Sequence, residues 1–164
     1  MSDLTHQRLL NLLSYDPETG IFTRLMSRRS DRVGLAAGST DGKGHRQIKV
    51  DGRLYMGHRL AWLYMAGCWP QLDIDHINGD RSDNRWCNLR LATESQNGAN
   101  SKLSRANTSG AKGVTRERKT GRWNAYVRVS RKAVYLGTFD TVKQASEAYR
   151  EGAERAFGEF ARVA

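Results

Sequence analysis

The chain has 164 residues, 38% of them hydrophobic, which allows one ordinary domain or two small ones with modest cores. Its formal net charge of +10 is uneven: residues 1–99 hold 13 Lys and Arg against 11 Asp and Glu, whereas residues 100–164 hold 14 against 6, as expected either of a phosphate-neutralising surface or of one that keeps a protein soluble. Two distant cysteines, Cys68 and Cys87, offer neither a CxxC zinc clip nor a disulfide framework; with no secretory start and no apolar run near the roughly 20 residues of a membrane span, a soluble, cytoplasmic, unsecreted protein is expected.

Residues 3–13 place Leu4, Leu9, Leu10, Leu12 and Leu13 at mixed helical spacing and predict a short helix. Asp16-Pro17-Glu18-Thr19-Gly20 ends it with turn chemistry. Strands are predicted at Ile21–Arg24, Gln47–Val50 and Leu54–Met56, the last two joined by Asp51-Gly52, a strong hairpin turn. His58–Ala66 is apolar on most sides and reads as a buried helix that Gly67 can cap.

From Leu72 the pattern becomes strand, long polar loop, strand, helix, with Thr93-Glu94-Ser95-Gln96 as a capping box that starts a helix running to about Lys102. Ser101–Lys112 reads as a polar linker, with a domain boundary at 104/105. Gly113–Arg118, Arg122–Ser130 and Ala133–Phe139 then predict three strands. In the second, Trp123, Ala125, Val127 and Val129 alternate with Asn124, Tyr126, Arg128 and Ser130, so one face is wet and Trp123 belongs to the core. A second capping box, Thr141–Gln144, opens a helix with Val142, Ala145, Ala148, Tyr149, Ala153 and Phe157 on one side.

Chemistry concentrates at Asp75-His76, with Asn88 and Asn97 after it. Phosphodiester hydrolysis needs an activated water, a cation to stabilise charge on the phosphate, and a support that orients the base. Histidine takes a proton near neutral pH, and Asp75 and Asn97 carry the hard oxygens that Mg²⁺ accepts. Two strands with a helix across them can gather these positions although about 20 residues separate them. His58 is expected to pack or cap its helix, His45 to lie in a Gly-rich loop, and His6 on the surface. Arg24, Arg28, Arg29 and Arg32 are either DNA backbone contacts or solvated.

The ordered set DHINGD, DNRWCNLR and ATESQN resembles the HNH nuclease motif, in the Asn-ending variant of phage and intron-encoded homing endonucleases. The resemblance begins near Tyr15-Asp16-Pro17, continues through HRLAW at 58–62 and reaches about Lys102. It implies an α+β fold with a ββα-metal core over about 72–102 and a small N-terminal sheet and helix. It also implies His76 as general base, Asn88 as supporting residue, and Asp75 and Asn97 as ligands of a divalent ion, Mg²⁺ or alternatively Mn²⁺.

KGV at 112–114, RWNAYVRV at 122–129, YLGTFDT at 135–141 and AYREGAERAFGEFA at 148–161 resemble the Apetala or ethylene-response-factor type of DNA-binding domain. That likeness implies a three-stranded antiparallel sheet on one helix, with Lys112, Arg128 and Tyr135 at DNA-contacting places; Arg116, Arg118, Arg122 and Arg131 make the sheet's surroundings basic. The expectation is therefore a metal-dependent endonuclease on double-stranded DNA, with residues 1–104 as nuclease and 105–164 as DNA-binding module. The sequence indicates no obligate protein partner and leaves the oligomeric state open. A non-catalytic DNA-binding regulator with a relic nuclease fold is the alternative, and an RNA-directed protein a weaker one. Shortening the chain near residue 104 is expected to weaken DNA binding while sparing the metal site.

Overall fold

Thr5 opens the first helix, α1 (His6–Leu12), by accepting the amide of Arg8. The helix stops at Leu12, and Leu13 passes directly into a strand, β1 (Leu13–Asp16), paired antiparallel with β2 (Ile21–Arg24). Leu13 and Tyr15 point into the core and Ser14 and Asp16 away from it, a period of two that continued helix would break. The helix expected over residues 3–13 starts later, at His6, and stops one residue earlier, at Leu12. His6, expected at the surface, is half-buried and bonds the Tyr64 carbonyl.

The computed structural model describes residues 4–27 and 30–162; Arg28 and Arg29 lie outside them. The short strand β3 (Ser39–Thr40) leads a second sheet with β4 (Arg46–Val50) and β5 (Arg53–Met56), all antiparallel. Asp51 and Gly52 turn between β4 and β5 with positive φ of 46° and 86°, the geometry of a tight hairpin turn. Helix α2 (Gly57–Ala66) follows and ends on left-handed Gly67. Strands β6 (Asp73–His76) and β7 (Leu89–Ala92) pair, and α3 (Glu94–Asn100) comes next behind its capping box. The strand–strand–helix order expected around the site is present.

The remaining sheet has the order β10–β9–β8, from β8 (Val114–Arg116), β9 (Trp123–Val129) and β10 (Lys132–Phe139), and carries α4 (Val142–Phe157). The fold is α+β, with four α-helices and four small sheets among the described residues. Among the described residues no helix is long and apolar enough to cross a membrane.

Two compact units divide the chain, Met1–Leu91 and Ala92–Ala164. In the first, Leu9, Leu13, Phe22, Ile48, Leu60 and Leu63 are fully buried in one core that joins α1, both N-terminal sheets and α2. In the second, Ala125, Val127, Ala145, Tyr149 and Ala153 pack α4 onto the sheet. Trp123 is half-buried at the edge of that core. Helix α3 is counted with this second unit. Ser101–Lys112 is irregular, as its composition implies, yet tied by its own polar groups: Asn107 Nδ2 donates to the Ala111 carbonyl, and Ser109 Oγ to those of Ala111 and Val114.

Candidate active site

The end of β6 delivers Asp75 and His76 into the first unit's interior, 3% and 6% exposed, beside Asn84 at 1% and Asn88 at 5%. Polar groups buried to this degree must be bonded or cost several kcal/mol. Asn88 ties the 77–87 loop together: its Nδ2 donates to the Asp83 carbonyl and its Oδ1 accepts the Asn78 amide, at 2.8 and 2.9 Å. Ile77 N–H reaches the Asn88 carbonyl at 2.9 Å. Inside the loop, Asn78, Asp80 and Asp83 each accept a backbone amide two residues on, turns that short polar side chains favour.

His76 Nε2 lies 3.1 Å from Asn84 Oδ1. With that amide oxygen as acceptor, Nε2 carries the hydrogen and Nδ1 is the basic nitrogen of the ring. Asn84 is itself buttressed by the first hairpin. Tyr15 OH donates to the Asn84 carbonyl at 2.7 Å, and the Trp86 amide donates to the Pro17 carbonyl at 2.9 Å. Burial, with the negative charge of Asp16, raises the Tyr15 phenol well above its ordinary range, so it remains a donor. Gly20 passes so close to Asn84 and Arg85 that a Cβ there would fall 2.5 Å from their backbone. The YDPETG turn is thus packed directly against the backbone of the 77–87 loop.

Asp75 Oδ2 accepts from Arg90 Nε at 2.9 Å, an ion pair whose side chains are 4% and 13% exposed. Two further imidazoles stand near His76. The His58 ring, in the first turn of α2, is 5.1 Å from it and edge-on at 82°; the His45 ring is 6.3 Å from His76 and 5.6 Å from His58. Nδ1 of His45, Nδ1 of His58 and Nδ2 of Asn84 are buried without a hydrogen-bond partner. Burial drives the His58 pKa down to about 3, assisted by the charges of His76, His45 and Arg59, so this ring is neutral at working pH. The sequence points to His58 as packing or capping its helix and to His45 as a loop residue, and it carries no local signal for Asn84 or Arg90. Their convergence on the Asp75-His76 step depends on tertiary folding, and only the HRLAW and DNRWCNLR strings marked their neighbourhood.

Asn97 is half-buried on α3, in the second unit, its amide bonded to the Thr93 carbonyl at 2.9 Å. Asp75 and Asn97 are oxygen donors, and both cysteines are exposed. Oxygen donors of this kind suit a hard ion that keeps much of its water shell rather than a thiolate-bound one. Among the described residues no group of three or more His, Cys, Asp or Glu is arranged to hold an ion. An ion at Asp75 would meet the Arg90 guanidinium as a competing positive charge.

In the C-terminal sheet, β9 sets Tyr126 opposite Tyr135 and Arg128 opposite Ala133, with the two tyrosine rings 5.4 Å apart. Exposed Arg128 and Tyr135 therefore share the wet face. Arg116 pairs in register with Trp123, on the other face, where its guanidinium lies 5.8 Å over the indole. Arg118, Arg122 and Arg131 lie in or beside the turns, exposed; Arg122 pairs with Asp140 and Arg131 with Glu94. Lys112 turns inward: its ammonium donates to the carbonyls of Ala99, Ser101 and Arg162. The expectation of Lys112 as a DNA contact does not match this use of its charge.

The HNH endonuclease family matches residues 55–99, a span from β5 through the Asp75-His76 step and Asn88 to α3. Protein 3.8 of Escherichia phage T7 is 34% identical over 106 residues, 64% of this chain and 87% of that protein. A protein of Acanthamoeba polyphaga mimivirus described as an uncharacterized HNH endonuclease is 32% identical over 124 residues, 73% of this chain and 63% of that one. No solved structure matches the chain. With its buried Asp-His step and its Asn-tied loop inside the matched span, the chain carries an HNH endonuclease domain at residues 55–99 and is similar to these viral proteins.

Proposed function

We propose that the protein is a divalent-metal-dependent endonuclease that hydrolyses phosphodiester bonds in duplex DNA, as a nick or a double-strand cut. The observation that carries this reading is the buried Asp75-His76 step, with the His76 ring set by Asn84. His76 Nδ1 accepts a proton from the attacking water. Asn88 keeps the 77–87 loop closed so that His76 cannot swing away. Asp75 and Asn97 hold a divalent ion, Mg²⁺ or Mn²⁺. When bound, the ion supplies positive charge opposite the phosphate and leaving oxygen.

Residues 1–104 form the nuclease part and residues 105–164 a DNA-binding module of the Apetala type. Arg128 and Tyr135 on the wet face, with Arg116, Arg118, Arg122 and Arg131 around the sheet, meet the duplex mainly at phosphates. Supercoiled plasmid incubated with Mg²⁺ tests the whole reading. The native protein is expected to convert it to nicked or linear forms, and His76→Ala to bind DNA without converting it. Equal cutting by the variant contradicts the chemistry. Binding without cutting by both proteins leaves a regulator.

A further inference from the structure

Helix α3 is seven residues long and lacks a basic residue in its last turn. A helix this short is marginal alone; the second unit holds it at both ends. At its start, the β9–β10 turn places Ser130 and Arg131 in left-handed backbone, φ 48° and 66°, a strain for non-glycine residues. In that conformation Ser130 N–H donates to Ser95 Oγ at 3.0 Å, and the Arg131 guanidinium reaches Glu94 Oε2 at 2.6 and 3.1 Å. At the other end, the Lys112 ammonium donates to the Ala99 and Ser101 carbonyls, where α3 runs out of partners of its own, and lies 3.5 Å from the Arg162 carbonyl. The Arg162 amide closes onto Ala99 O at 3.2 Å.

The backbone behind Lys112 is equally fixed. Gly113, at φ 67°, lies where any Cβ would strike the Tyr149 ring and the Tyr126 carbonyl, and its own carbonyl accepts the Tyr126 amide at 2.8 Å. Lys112 therefore connects β9 and α4 to the last turn of α3.

We propose that α3 is mounted on the C-terminal module, with Lys112 as a positioning residue that sets the helix carrying Asn97. This rests on the reading of Asn97 as a metal ligand. A chain cut near residue 104 lacks Lys112 and the 130–131 turn, so it loses both holds on α3 and does not keep the metal affinity of the full one, in contrast to the sparing expected from the sequence. Lys112→Met keeps the stem and removes the donors; Ser95→Ala releases the opposite end and serves if the first variant does not fold.

Three readouts on the full chain decide the matter: Mn²⁺ binding by electron paramagnetic resonance, hydrogen exchange of the α3 amides, and affinity for duplex DNA without metal. For a folded Lys112→Met, α3 exchange is expected to rise about tenfold and Mn²⁺ affinity to fall about tenfold, the usual scale for losing a charged hydrogen bond. DNA affinity without metal is expected to stay within about twofold, because this ammonium is already engaged. Ser95→Ala is expected to move exchange and Mn²⁺ affinity in the same directions by smaller factors. Unchanged α3 exchange in a folded Lys112→Met, or faster exchange with unchanged Mn²⁺ affinity, overturns the proposal. If the native protein binds no Mn²⁺, the metal-ligand reading has failed, and the α3 exchange alone decides whether the mount exists.

Discussion

Arg90→Met isolates the charge balance at the candidate site. Arg90 and Asp75 form an ion pair at 2.9 Å with side chains 13% and 4% exposed, and removing one partner of such a pair leaves the other charge buried. The general cost is about 3–5 kcal/mol; the partial exposure of Arg90 places this case near about 3 kcal/mol. For a unit the size of Met1–Leu91, each kcal/mol corresponds to roughly 4–8 °C, so its melting temperature should fall by roughly 12–24 °C without metal. A divalent ion held by Asp75 restores the missing positive charge and no longer competes with a guanidinium. Saturating Mn²⁺ should therefore raise the melting temperature of Arg90→Met more than that of the native protein, as expected for a ligand that binds the folded state more tightly. Differential scanning calorimetry with and without Mn²⁺ measures both increments, and Asp75→Asn with Arg90→Met should abolish the extra one. Equal increments in native protein and Arg90→Met refute the reasoning, as does a metal-free cost below about 1 kcal/mol.

Tyr15→Phe removes the bond to the Asn84 carbonyl and should cost about 1–2 kcal/mol by chemical denaturation, with faster hydrogen exchange at Trp86. Asp83 is held down to about 2 from 3.8, chiefly by the Arg85 side chain, then by the Arg85 backbone amide and the Asn78 side-chain amide. Its folded pKa lies below its unfolded one, so its contribution is complete above about pH 4 and lost as pH falls through about 2. Asp83→Asn should be less stable than native protein by about 1 kcal/mol at neutral pH, solvent screening allowed for, with the difference closing below about pH 2 in an acid titration. Arg128→Ala should weaken duplex binding alike on different sequences and reduce the salt slope of affinity by about one counterion, as read by anisotropy across salt concentrations.

Much of this architecture is written locally. Thr93 with Gln96 and Thr141 with Gln144 form the expected capping boxes, and Asp51-Gly52 makes the expected turn. The alternation from Trp123 to Val129 lines up with the burial of Ala125 and Val127. Strand β1 was not legible, because Leu9, Leu10, Leu12 and Leu13 read as one helical stripe and the switch to a period of two is decided by pairing with β2. The polar string around Asp75 announces its chemistry. Its support is dispersed: His45 and His58 reach His76 from separate elements, and Arg90 meets Asp75 from β7. Lys112 shows the opposite limit. Its neighbours suggest a DNA contact, and only the carbonyls at the end of α3 show where its charge goes.

Cleavage of a single duplex across Mg²⁺ concentrations, by native protein and Asp75→Asn and with the ion removed by EDTA, tests metal-assisted hydrolysis at this site most directly. Cutting is expected to saturate with Mg²⁺, to vanish in EDTA, and in Asp75→Asn to need far more of the ion or to be lost. Full-rate cutting in EDTA, or an unchanged Mg²⁺ requirement in Asp75→Asn, would contradict it.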